Sequence, residues 1–384
     1  MSLMKKNLLL FYNSVFFQHF AYGIIIPTLI IWQNKNGLSF SEIALIQGVG
    51  LAFLMLVEVP SSFFADKIGR KITIITGLLI TLFAFIFLIF ASDFTFFLLF
   101  QIFFSVGLAF LSGTEEAFLH DIVSDKKMLT HYLGSMSVSD ELGTILGMLM
   151  SSLLISLDDI TLSFKVALIA LSAAFFLMVM IKAERSNPNE KIYPDANPSK
   201  FLFANISAIL LIFILMLGLF SERGEMIYQY AFSGLGVRLE SLGFIYIVAK
   251  IFSIIGSRLS GFIEVKIRTH MALILSGILQ IIAFAILIAD SPIPAIISLC
   301  IFFFSENIFR NLRSSFILKN SPHIKRATNL SLVSFGSSAI LIFSKLLIGW
   351  SLDIRFIYAI MFIMSLKIIA LILLLNKKTT LGHA

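Results

Sequence analysis

Long apolar segments, each about the 20 residues that a membrane-crossing helix needs, divide this chain of 384 residues. Twelve meet that length, at roughly 7–31, 40–65, 72–91, 94–120, 130–156, 160–182, 202–231, 239–263, 269–289, 293–319, 328–352 and 354–376. Within a bilayer the backbone must satisfy its own hydrogen bonds, so segments of this length are expected as helices and the fold class as all-α membrane protein. Composition agrees, because only 13% of residues are charged where a soluble domain carries about 25%. Lys5 and Lys6 ahead of the first segment resemble the start of a signal peptide. No small-residue cleavage site follows, and the apolar run is too long, so a first span is expected there.

The formal charge of +7 invites a nucleic-acid reading, which its distribution defeats. Lys67, Arg70 and Lys71 follow the second segment, Lys126 and Lys127 the fourth, Lys182, Arg185, Lys191 and Lys200 the sixth, and Lys266 and Arg268 the eighth. Arg310, Arg313, Lys319, Lys325 and Arg326 mark the end of the tenth, and Lys377 and Lys378 the tail. The alternate loops hold only Lys35, Arg238 and Arg355. Basic loops stay in the cytoplasm, so both termini are expected there. Residues 184–200 (ERSNPNEKIYPDANPSK) are polar and rich in proline, which marks a linker. It separates an expected bundle of six helices at 1–183 from a second at 201–384. The halves echo each other at an offset of about 199 residues: Gly37-Leu-Ser-Phe-Ser-Glu-Ile realigns with Gly236-Val-Arg-Leu-Glu-Ser-Leu, and Ser62-x-x-x-Asp66 with Ser260-x-x-x-Glu264. The single cysteine, Cys300, excludes an internal disulfide and a cysteine-built metal site.

Ionisable residues inside spans are costly and mark function by default. The first half holds mainly acids: Glu58, Glu115, Glu116, Asp140 and Glu141. The second is mixed: Glu222, Arg223, Glu225, Lys250, Arg258, Glu306, Arg310 and Lys345. Adjacent residues on a helix point about 100° apart, so Glu115 and Glu116 cannot face one cavity equally. Spacing by four places Glu116 with Ser112 and His120. Neighbouring carboxyls in a low dielectric hold a proton more readily than in water. Glu116, partnered by Glu115, Asp140 or Glu141, is therefore the expected proton carrier, with a packing carboxylate bonded to a neighbouring backbone as the alternative. His19 and Tyr22 share a face of the first span, where a histidine can relay protons, bind substrate or simply pack. Gly143 and Gly147 form a small-residue face suited to close helix contact. In the eighth span Lys250, Ser253, Ser257 and Arg258 make a polar stripe; in the tenth, Glu306 and Arg310 stand one turn apart. Together His19, Tyr22, Glu116, Glu222, Arg223, Lys250, Glu306 and Arg310 are the candidate cavity residues. No phosphate-binding loop of GxxxxGK[ST] type, metal-ligand cluster or nucleophile elbow occurs, so ATP-driven pumping, metal chemistry and covalent catalysis have no support.

Between the second and third spans lies Glu58-Val-Pro-Ser-Ser-Phe-Phe-Ala-Asp-Lys-Ile-Gly-Arg-Lys71. Ser62, Asp66, Gly69, Arg70 and Lys71 resemble the signature loop G-x-x-x-D-[RK]-x-G-[RK]-[RK] of the major facilitator superfamily, with Ser62 in place of its leading glycine. Ser112-Gly-Thr-Glu-Glu-Ala, ending at Asp121, and Arg326-Ala-Thr-Asn-Leu-Ser331 resemble stretches of its bacterial efflux-type members. Phe103 stands where the family's fourth-helix motif has arginine, with Gly107 matching, and the fifth-helix motif's proline is missing. The resemblance implies 12 helices in two pseudo-symmetric bundles of six. It also implies a signature-loop gate of Glu58, Ser62, Asp66, Gly69, Arg70, Lys71, Asp121 and Arg326, and a cavity lined by the first, fourth, seventh and tenth spans. The function it implies is proton-coupled export of a small amphipathic or toxic compound by a monomer in a bacterial inner membrane. The proton gradient would supply the energy, without a cofactor. Uptake of a nutrient or siderophore is the alternative within transport; a lipid-handling or sensor protein on the same scaffold is the alternative from another class.

Overall fold

The computed structural model describes residues 3–123, 129–155, 160–182, 220, 222, 224–267, 269–320 and 326–375, without the side chains of 130 and 314–335. In chain order its helices are α1 (Leu3–Ile25), α2 (Leu29–Lys35), α3 (Phe40–Ile68), α4 (Arg70–Ile89), α5 (Phe94–Leu111), α6 (Thr114–Ile122), α7 (Leu129–Ile155), α8 (Ile160–Met180), α9 (Glu225–Gly234), α10 (Leu239–Lys266), α11 (Thr269–Ile286), α12 (Pro292–Asn320), α13 (Arg326–Ile354) and α14 (Phe356–Leu375). Among the described residues, 11 helical stretches are long and apolar enough to cross a membrane. Most of the expected seventh span, the linker at 184–200, Lys126, Lys127, Arg223 and Arg268 lie outside the described residues.

The chain divides into two compact units. One comprises Met1–Leu38, Val49–Pro194 and Leu239–Phe244; the other comprises Ser39–Gly48, Asp195–Arg238 and Ile245–Ala384. In the first, α1 packs on α7 and α8, and α4 on α5 and α8; in the second, α11 packs on α12 and α14, and α13 on α14. Lipid is as apolar as leucine, so burial alone does not join such helices; close approach and interhelical hydrogen bonds do. Gly143 and Gly147 supply the approach. A Cβ on either would overlap the carbonyl oxygen of Phe16 or Phe20 on α1. Ser14 Oγ donates to Ala174 O at 2.8 Å, a bond worth about 0.6 kcal/mol on average in such settings.

Three expected spans are interrupted. The first breaks at Ile26–Thr28, between α1 and α2, where Pro27 lacks a donor and its ring opposes a helical backbone. The fourth breaks at Ser112–Gly113 and the seventh ahead of Glu225. Gly113 (φ 69°) and Gly224 (φ 67°) both occupy the left-handed region, where any side chain would be strained. The break corrects the expected face of Ser112, Glu116 and His120, because Ser112 is not part of α6. The internal repeat, in contrast, is visible as a repeated turn. Leu38 N–H donates to Gln33 O at 3.2 Å and Val237 N–H to Phe232 O at 2.9 Å, around Gly37 (φ 88°) and Gly236 (φ 70°). The structure also corrects the register further on. Ser61, not Ser62, matches Ser260: both are buried, and each donates to the carbonyl three residues back, Glu58 at 2.9 Å and Ser257 at 2.7 Å.

Candidate functional site

In the first unit, the close approach of α1 and α7 brings His19 Nδ1 to 2.7 Å from Asp140 Oδ1, with 24% and 40% of the two side chains exposed. Thr144 Oγ1 donates to the same Asp140 oxygen at 3.3 Å. Glu115 joins them from the first turn of α6. His19, Asp140 and Glu116 are its charged neighbours, and Gln18, itself buried, hydrogen-bonds its carboxyl. The Tyr22 ring lies edge-on to His19, with centroids 5.5 Å apart, and to Phe104 at 5.2 Å. Glu116 is exposed, whereas Glu115 is half-buried. Of the two adjacent glutamates, Glu115 is therefore the one that α1 and α7 surround. Glu141 is half-buried one residue beyond Asp140.

At the end of α3, Gly69 adopts φ 114°, and α4 begins at once with Arg70 and Lys71. Arg70 Nη1 donates to Asp121 Oδ1 at 2.6 Å and Ala117 O at 3.0 Å, clamping the signature loop to α6. Lys71 Nζ donates to Val179 O at 2.9 Å and Ile181 O at 2.6 Å, a cation on the carbonyl end of α8. Asp66, Ser62 and Glu58 are exposed. The small buried residue here is Ser61, whose Oγ donates to Ala109 O of α5 at 2.8 Å. The side chain of Arg326 lies outside the described residues.

In the second unit, Lys250, Ser253, Phe302, Phe303, Glu306 and Asn307, with Arg310, line a small recess between α10 and α12. Asn307 donates to Ser253 Oγ and accepts from Arg310. One turn on, Asn311 Nδ2 donates to Ser257 Oγ and Ser260 Oγ, both at 3.0 Å. The serine stripe is thus a ladder of side-chain amides and hydroxyls joining two helices, while Arg258 is exposed.

A second polar centre was missed from the sequence. Lys367 on α14 is fully buried. Its ammonium donates to Gln280 Oε1 at 2.8 Å, Glu222 O at 3.0 Å and Phe220 O at 3.4 Å. The rings of Phe220, Phe284 and Phe302 surround it at 5.4–5.7 Å. The interruption before α9 frees backbone carbonyls, and Lys367 supplies the donors that helical N–H groups would otherwise provide. The rule that a charge inside a span marks function applies to Lys367 as directly as to Lys250. Among the described residues no group of His, Cys, Asp and Glu side chains could hold a metal ion.

A bundle of interrupted membrane helices with ionisable clusters at the interruptions defines a polytopic transporter. The family model of the Major Facilitator Superfamily matches residues 11–344, and the chain belongs to that family of secondary transporters. Solved structures agree in fold. A mutant of the nucleoside transporter NupG superimposes with a TM-score of 0.83 at 12% identity, covering 96% of this chain and 98% of its own. A POT family transporter in complex with a thioalcohol-conjugated peptide gives 0.75 at 12%, and a D-xylose–proton symporter 0.71 at 10%, each covering 100% of both chains. No curated protein sequence matches.

Proposed function

We propose that the chain is a proton-coupled exporter of a small amphipathic compound, working by alternating access, with Glu115, His19 and Asp140 carrying the proton. The supporting observation is the His19–Asp140 pair at 2.7 Å with the Glu115 carboxyl beside it. Within a low dielectric, an ionised carboxylate is expensive and a proton removes that cost. Imidazole is the side chain whose ordinary titration spans neutrality, so a proton can pass among these three groups without stranding a charge. Proton occupancy then biases which conformation is favoured, and a cationic group on the substrate can compete for Glu115. Glu116, exposed on α6, takes the secondary place. In the second unit, the recess of Lys250, Glu306 and Arg310 offers both signs of charge beside two phenyl rings. The basic loops support a cytoplasmic position for both termini and the 184–200 linker, and the membrane in this reading is a bacterial inner membrane.

Reconstituted vesicles with an imposed pH gradient test this. Glu115→Gln is expected to abolish gradient-driven accumulation while downhill substrate exchange continues. Gradient-driven transport that survives in Glu115→Gln, Asp140→Asn and His19→Asn alike overturns the assignment. Uptake is the second reading, favoured by the fold shared with a D-xylose–proton symporter. Reversing the gradient in the same vesicles decides between them.

A further inference from the structure

The second unit holds ionisable groups that the proton scheme does not use. Glu222 is 1% exposed and is fixed at both ends. Its Oε1 accepts from Gly224 N–H at 2.9 Å, and its backbone carbonyl accepts from Lys367 at 3.0 Å. The other carboxylate oxygen, Oε2, is buried and has no hydrogen-bond partner among the described residues, a costly condition for a buried acceptor. Lys345 Nζ stands 3.8 Å from it, just beyond hydrogen-bonding range, and donates instead to Gln47 Oε1 at 2.9 Å. Gln47 lies on the Ser39–Gly48 part of α3, which belongs to this same unit and is docked on α13. The Asp353 carboxylate accepts from the N–H groups of Phe40 at 2.8 Å and Ser41 at 2.9 Å, and from the Ser41 hydroxyl. It thereby caps a helix N-terminus from another helix, where an anion is favoured. A Cβ on Gly349 would overlap Phe40 O.

One ammonium therefore has two acceptors and bonds one of them. Glu222 is held in place; Lys345, on a flexible four-carbon stem, can move. We propose that Lys345 is a positioning residue that couples the docking of α3 on α13 to the broken start of α9. It bonds Gln47 while α3 is docked and closes onto Glu222 Oε2 when α3 leaves. The exchange makes the seam two-state. Loss of the Gln47 bond is offset by a charge-assisted pair with Glu222, so the ammonium is never left buried without a partner. This inference requires only that α3 and α13 move apart during the transport cycle, and it is independent of which groups carry the proton.

Ile43, fully buried on α3, provides the reporter. Full-length protein carrying Cys300→Ser and Ile43→Cys is reconstituted, and its rate of reaction with a soluble maleimide is measured; Ala44→Cys serves if Ile43→Cys folds poorly. Glu222→Gln removes the competing charge and is expected to slow labelling about fivefold or more, the lower range of typical coupling between sites. Gln47→Leu is expected to speed it by a similar factor. In a Lys345→Met background neither change should alter the rate. Equal rates across the variants overturn the proposal, as do effects that persist without Lys345. Failure of the Glu115 assignment would leave these rates untouched.

Discussion

Glu115 and Glu222 stand at the same kind of place, beside a glycine in the left-handed region where a span is interrupted. Their surroundings differ. Glu115 faces His19 and Asp140, in a cluster where Asp140 keeps 40% of its side chain exposed. Glu222 is buried between Lys345 and a backbone pinned by Lys367. The partner in the first case is a group that ordinarily gains and loses a proton near neutrality. Those in the second are ammonium groups held by hydrogen bonds to carbonyl and amide oxygens, bonds that the positive charge strengthens. A broken helix thus serves two ends. In one unit it presents a carboxyl to an imidazole and a second carboxylate, and in the other it sets a buried carboxylate beside ammonium groups.

The sharpest way to break this comparison is Lys367→Met. It leaves Gln280 Oε1 and the backbone carbonyls of Phe220 and Glu222 without their donor, at an expected cost of about 3 kcal/mol or more for three buried acceptors. Glu115→Gln should cost less than about 1 kcal/mol, the scale of one hydrogen bond. Unfolding followed in detergent micelles measures both, and similar losses would erase the distinction. Gly143→Leu comes next. Forcing α1 from α7 should cost about 1–3 kcal/mol and separate His19 from Asp140, so a fall in melting temperature should accompany loss of gradient-driven transport. In properly folded protein, His19→Asn should flatten the dependence of transport on pH between about 5 and 8; an unchanged profile would remove histidine from the scheme. The smallest effect is expected from Asn189→Cys in a Cys300→Ser background. Transport should persist, and the new thiol should resist an impermeant reagent in intact cells; rapid labelling would reverse the orientation.

The spans were legible because a bilayer imposes one length on every crossing, and α4, α7, α8 and α10 to α14 follow the expected segments closely. The interruptions were less so. Pro27 and Gly113 are visible in the sequence, but a membrane helix often tolerates such residues when neighbours satisfy the backbone. The choice between Glu115 and Glu116 depended on the start of α6. Lys367 was readable by the same rule that singled out Lys250, and Asp353 was not, since nothing local tells that a carboxylate will cap a distant helix.

The sequence by itself determined the helices, the spacing of Gly143 and Gly147, the signature loop and the repeat of Gly37 at Gly236, because each rests on local backbone chemistry or on the thickness of a membrane. Only the tertiary structure decided that His19 meets Asp140, that Ser61 rather than Ser62 packs against α5, and that Lys345 bonds Gln47 while Glu222 waits 3.8 Å away. Those pairings join residues on different helices, and their distances follow from how closely small side chains allow two backbones to approach.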